Sequence, residues 1–220
     1  MNGTDFLIWV RETGFLIAST VFIVGVTVRL FEIFMLGRKK DLSEPKGCAV
    51  RGGFKTIARR FLPQDKQTFQ RSYFIVIAGY VFHIGLLVAL FLLVPHIELM
   101  KFSLGFGWKG LPTPLVDFLT VLSLIALLGL LWHRLTSPVL KHISDAGDYV
   151  AWTLTFLPLL TGYLTYHHLF FDYTWLLALH ILSAELLMVM LPFTKLMHTF
   201  TVFISRFYGG AIAGRKGVQA

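Results

Sequence analysis

Residues 72–97 read SYFIVIAGYVFHIGLLVALFLLVPHI, without a single Asp, Glu, Lys or Arg. A bilayer's hydrocarbon core is about 30 Å thick and a helix rises about 1.5 Å per residue, so about 20 mostly apolar residues cross it. This stretch is long enough and apolar enough to do so. The rest of the 220-residue chain agrees: 55% of it is hydrophobic and 15% charged, with a mean hydropathy of +0.69, against about 25% charged residues in a soluble domain. Working outward, four further spans are expected, at 13–36, 114–133, 149–171 and 173–204. The last exceeds one bilayer thickness and should tilt or project. The expected fold is all-α, an integral membrane five-helix bundle forming a single domain over 1–220.

Loop charge sets the orientation, because Lys and Arg are retained on the cytoplasmic side. The connection 37–71 carries ten basic residues: Arg38, Lys39, Lys40, Lys46, Arg51, Lys55, Arg59, Arg60, Lys66 and Arg71. With Arg29, Arg134, Lys141, Lys195, Arg206, Arg215 and Lys216, seventeen of the twenty fall on one side, and Arg11, Lys101 and Lys109 on the other. The N-terminus is therefore expected outside and the C-terminus in the cytoplasm of a prokaryotic inner membrane. The basic connection holds nearly all of the net charge of +8. It reads as a topogenic loop touching anionic lipid, or as a docking surface for a cytoplasmic partner. Nucleic acid is not needed to explain it.

Other classes drop out. One cysteine, Cys48, allows neither a disulfide framework nor a cluster-binding set, and no C-x-x-C-H attaches a c-type haem. There is no G-x-G-x-x-G, P-loop, internal repeat or H-E-x-x-H. Asp5 and Glu12 stand where a cleaved leader would be basic.

Eight histidines in such a chain are the most informative feature, because ionisable groups inside a membrane are costly and mark function. His83 and His96 fall on the second span, and His180 and His198 on the fifth. Eighteen residues separate the latter pair; on one continuous helix that is five turns, placing both on one face about 27 Å apart. Two stacked haems would suit that arrangement. The second span runs antiparallel to the fifth, so His96 should meet His180 near the outside and His83 should meet His198 near the inside. Each pair would supply the axial nitrogens of a b-type haem. On an ideal helix His83 and His96 sit about 140° apart. Pro95 can distort the helix and rescue the pairing; otherwise His167 or His168 is the outer partner. His133 and His142 read as interfacial polar residues.

Three segments carry a resemblance. They are Phe82-His83-Ile84-Gly85; His133-Arg134-Leu135-Thr136-Ser137-Pro138 with Asp148 and Gly162 beyond it; and Leu179-His180 with Pro192-Phe193-Thr194-Lys195-Leu196-Met197-His198. Together they resemble the gamma subunit of respiratory nitrate reductase, a membrane cytochrome b, across the second to fifth spans. The resemblance implies five helices, two b haems and quinol oxidation near the outer haem, with electrons passing inward to a cytoplasmic iron–sulfur subunit. It gives His83 and His198 to the inner haem and His180 to the outer. The family's fourth ligand falls where this chain has Leu93, which makes His96 a shifted candidate. A short 171–174 connection and a different first cytoplasmic loop are closer to the related cytochrome b subunits of sulfite-reductase-linked, heterodisulfide-reductase-like and multihaem transmembrane complexes.

A quinol site needs a polar group that can take a proton beside the outer haem. Lys109, one position from the family's quinol-site lysine, is the first candidate, with His96, His167 and His168 beside it. Glu185, the one acid deep within a span, is a candidate relay or a helix-to-helix hydrogen-bonding group. Arg134 is placed to fork onto an inner-haem propionate. Glu98 and Asp117 read as interfacial charges. The expected cofactors are haem b, two or one per chain, and quinone or quinol. If there is one haem, His83 and His198 hold it and His96 joins the quinone site. Expected partners are a cytoplasmic iron–sulfur subunit, the quinone pool, membrane lipid and, as a further candidate, a periplasmic multihaem subunit. Rival readings are a haem-free membrane anchor and a proton-relaying transporter.

Overall fold

The computed structural model describes residues 2–36, 42–61 and 66–218, and all regular structure among them is helical. Arg38, Lys39 and Lys40 of the basic loop lie outside the described residues. The chain divides into two compact units, one of residues 1–21 and 74–190, the other of 22–73 and 191–220.

The chain starts with α1 (Gly3–Trp9), opened by a capping box in which Asn2 and Asp5 satisfy each other's backbone N–H. It passes through a π-turn, Val10–Gly14, into α2 (Phe15–Met35). After α3 (Ala49–Arg59), α4 (Lys66–Leu92) leads to α5 (Val94–Leu104). Then come α6 (Thr113–Thr136), the short α7 (Pro138–Ile143), α8 (Ala146–Tyr166) and α9 (Tyr173–Met190). The core of the first unit is Ala78, Phe82 and Ala89 of α4 with Val116, Ala126 and Leu127 of α6 and Leu159 of α8. Its alanines let helix backbones approach where a larger side chain would hold them apart, the packing mode of helices in lipid.

Among the described residues four helical stretches are long and apolar enough to cross a membrane: Gly3–Met35, Lys66–Leu92, Thr113–Thr136 and Tyr173–Phe193. Only 17–22% of the most apolar window of each is buried. Large apolar residues such as Leu16, Ile23, Phe31, Ile77, Ile84 and Leu128 point outward, the pattern of surfaces covered by lipid. The expected fourth span is helical from Ala146 to Tyr166 but falls outside this apolar set. Thr155, Thr161 and Thr165 return their hydroxyls to carbonyls of their own helix, which lets such residues sit at depth while lowering the mean hydropathy.

Two expected spans are interrupted. The helix over 72–97 stops at Leu92, and Leu93 turns to an extended backbone, φ −80° and ψ 128°. Pro95 sits in the first turn of α5, where its missing N–H costs nothing. The helix over 173–204 ends at Met190 and is replaced by two 3₁₀ turns, Leu191–Phe193 and Lys195–Met197. The chain then enters α10 (His198–Arg215). Pro192 cannot continue an α-helix, so His180 and His198 belong to different helices and different units. The one-face, five-turn relationship expected for them does not apply.

The second unit is built on α3 against α10, with Gly52 and Thr56 facing Gly210 and Gly214. Phe54 meets Phe207 edge-on at 5.2 Å. On α2 the Nε of Arg29 donates to the Pro192 carbonyl at 3.3 Å, and its Nη1 pairs with Glu32 at 3.0 Å.

Candidate functional site

The break at Leu93 builds the site. A helix end leaves its last carbonyls without partners, and three carbonyls of α4 find donors in residues 96–111. His96 Nδ1 donates to Ala89 O at 2.7 Å, Trp108 Nε1 to Phe91 O at 2.6 Å and the Leu111 N–H to Leu92 O at 3.0 Å. A carbonyl only accepts, so the His96 proton is on Nδ1 and the lone pair on Nε2.

His180 comes from α9 and rests on α8. Thr161 Oγ1 donates its one proton to Leu157 O at 2.7 Å, and so meets His180 Nδ1, 3.3 Å away, as an acceptor. Ser183, one turn along α9, lies 3.0 Å from the same hydroxyl. A Cβ on Gly162 would sit 3.0 Å from His180 Cε1 and 3.3 Å from Nδ1, so the ring lies on bare backbone.

The rings of His96 and His180 come together, centroids 6.0 Å apart and planes 21° from parallel. At that separation both imidazoles could be offered to one bound group. A ligating histidine typically anchors its other nitrogen on a carbonyl or carboxylate, which fixes tautomer and orientation. Among the described residues no group of three or more His, Cys, Asp or Glu converges on a metal position. The residues that could hold a cofactor here are the two imidazoles of His96 and His180.

His83 and His198 share the anchoring pattern. His83 Nδ1 donates to Gly79 O at 2.7 Å and His198 Nδ1 to Lys195 O at 2.9 Å. They lie in different units, His83 on α4 and His198 at the start of α10, and both are exposed.

The other expected residues have distinct settings. His167 Nε2 is 2.8 Å from Asp117 Oδ1 and tied to the start of α6. His168 packs against Tyr173 in a left-handed backbone position. Of the three candidates for the outer partner, His96 is the one whose ring stacks with that of His180. Lys109 is exposed between α5 and α6, next to the capping Trp108. Arg134 Nη1 meets Ser144 Oγ at 2.8 Å and Asp148 Oδ2 at 3.4 Å, so its guanidinium is held at the α6–α8 connection. His133 contacts the Phe74 ring, His142 is exposed and Glu98 pairs with Lys101 at 3.7 Å.

Glu185 is 4% exposed, and its Oε1 has no hydrogen-bond partner among the described residues. Its carboxyl packs on the π-turn: a Cβ on Gly14 would lie 2.8 Å from Oε2. It stands five residues beyond His180, about 7–8 Å along α9. Trp108 and Thr161 escape a reading by sequence pattern, since their partners lie 17 and 19 residues away. Ser183, at i+3 from His180, has the spacing of a same-face neighbour.

No family model matches the chain. It is similar to a protein of Nitratidesulfovibrio vulgaris (strain Hildenborough), 29% identical over 157 residues that make up 71% of this chain and 69% of that one. That relative bears only the name "Protein".

Proposed function

We propose that the chain is a membrane cytochrome b that exchanges electrons between the quinone pool and a cytoplasmic iron–sulfur partner. The observation that carries this reading is the 6.0 Å stacked approach of His96 and His180, each with Nδ1 engaged by an oxygen. His96 and His180 hold the outer b haem. The resemblance gives His83 and His198, one in each unit, to a second, inner haem. Haem bound at these sites supplies one-electron transfer between a two-electron quinol and a one-electron partner. The protein's part is to fix the four imidazoles: by the α4 end at His96, by Thr161 and bare backbone at His180, and by local carbonyls at His83 and His198.

In this reading α8 completes a five-span bundle with the N-terminus outside and the C-terminus in the cytoplasm. Lys109, exposed beside Trp108, is the hydrogen-bond donor of the quinol site. Glu185, buried five residues beyond His180, is either a proton relay or a group that hydrogen-bonds another helix, and the Glu185→Gln variant separates the two. Arg134, pre-oriented by Ser144 and Asp148, forks onto an inner propionate. The resemblance to the nitrate reductase gamma family supports His83, His180 and His198, whereas its fourth ligand falls at Leu93, so His96 rests on its approach to His180 alone; the acceptor beyond the partner comes from neither.

The test is reduction by quinol. A short-chain naphthoquinol added to the oxidised purified protein is expected to raise the α-band absorbance of a reduced b cytochrome. A protein that carries haem and is reduced by dithionite but not by any quinol would remove the quinone from the function.

A further inference from the structure

α3 and α10 are held almost backbone to backbone. A Cβ on Gly52 would lie 2.6 Å from Gly214 Cα, and one on Gly214 2.7 Å from Gly52 Cα. No side chain fits between Gly52 and Gly214, where the two backbones meet, while Thr56 packs against Gly210 further along. The result is a groove of about 290 Å³. Arg51, Lys55 and Arg59, at successive i, i+4 positions of α3, line one wall of it, with Thr56 and Gly214 below. No acidic residue lines it among the described residues. α10 contains no Asp or Glu, and Glu44 is the one acid among residues 42–61.

A second rail runs beside the basic one. Val50 and Phe54 are 58% and 63% exposed, each next in sequence to a cation of the groove. An amphipathic helix with basic and apolar rails side by side lies in a membrane interface, with apolar groups toward acyl chains and cations at headgroup level. Basic pockets between helices on the cytoplasmic side hold anionic headgroups. We propose that the α3–α10 groove is a binding site for the phosphate of an anionic phospholipid, with Arg51 and Lys55 as its principal ligands and Val50 and Phe54 beside the acyl chains. The adjoining apolar rail favours a lipid over an acidic face of a soluble subunit. The site does not depend on haem.

The test is native mass spectrometry of the full detergent-purified chain titrated with phosphatidylglycerol, cardiolipin or phosphatidylcholine. The wild type is expected to retain anionic lipid at least tenfold more tightly than phosphatidylcholine. R51Q/K55Q should lose that preference, while K66Q/R71Q, which removes the same charge elsewhere, should keep it. Far-ultraviolet circular dichroism and thermal melting of both variants exclude misfolding as the cause. Equal binding of the two lipid classes, equal loss in both variants, or full displacement by millimolar inorganic phosphate would each overturn the proposal. So would an R51Q/K55Q chain that keeps its lipid but no longer co-purifies a soluble subunit, since the groove would then be a protein dock.

Discussion

The stacked approach of His96 and His180 exists because α4 ends at Leu92 and His96 turns back to cap it: the Ala89 carbonyl holds one ring, and Thr161 and Gly162 hold the other. Neither ring can turn without leaving an acceptor unpaired or striking the α8 backbone. That rigidity is what an axial ligand pair requires.

Replacing His96 or His180 with Ala is expected to remove one of two haems while the other stays, read as a halved haem-to-protein ratio. Replacing His167 with Ala should leave both, since its ring is occupied by Asp117. Loss of haem on the His167 change and not on the His96 change would reverse the assignment of the outer ligand.

Gly162→Ala puts a methyl 3.0 Å from His180 Cε1. The expected result is weakened outer-haem retention or an altered spectrum at that haem. Gly209→Ala on α10, where an added Cβ meets nothing within 4 Å, serves as the helix-position control. Equal behaviour of the two would show that Gly162 has no special part.

The helical membrane class was legible from 72–97 alone, and the approach of His96 to His180 from the antiparallel order of their two spans. What the pattern could not show is how the backbone breaks. Pro95 marks a disturbance, but whether the helix kinks or stops depends on Trp108 and Leu111 arriving to satisfy Phe91 and Leu92, and no local period encodes that. Pro192 signals the second interruption in the same way, yet a run of apolar residues on either side reads as one long helix. The approach of Gly52 to Gly214 joins segments 162 positions apart, beyond any spacing rule. α8 is the expected fourth span, helical over Ala146–Tyr166 but outside the apolar set, with threonines that bond back to their own helix.

Trp108→Phe deletes the indole N–H that meets Phe91 O at 2.6 Å. A lost hydrogen bond of this kind costs about 1 kcal/mol. Thermal unfolding should begin earlier and amide exchange should rise at the α4–α5 junction. Unchanged exchange there would mean that the loop does not cap α4.

Glu185→Gln keeps shape and removes the exchangeable acid. Haem content and thermal stability should stay near wild type, while quinol-driven reduction slows several-fold. A variant with unaltered turnover would leave Glu185 as a packing residue against Gly14.

Cys48 is the single cysteine of the chain and is exposed, which makes it a natural topology probe. A membrane-impermeant maleimide should label it in inverted vesicles and not in intact spheroplasts. The reverse pattern would turn the orientation over, and with it the side on which α3 and α10 lie.

The most direct measurement is a pyridine haemochrome assay per mole of purified chain, paired with a dithionite-reduced spectrum. Two b haems per chain are expected, falling to one in His180→Ala. A purified, folded chain carrying no haem under expression conditions that load other b cytochromes would contradict the electron-transfer function outright.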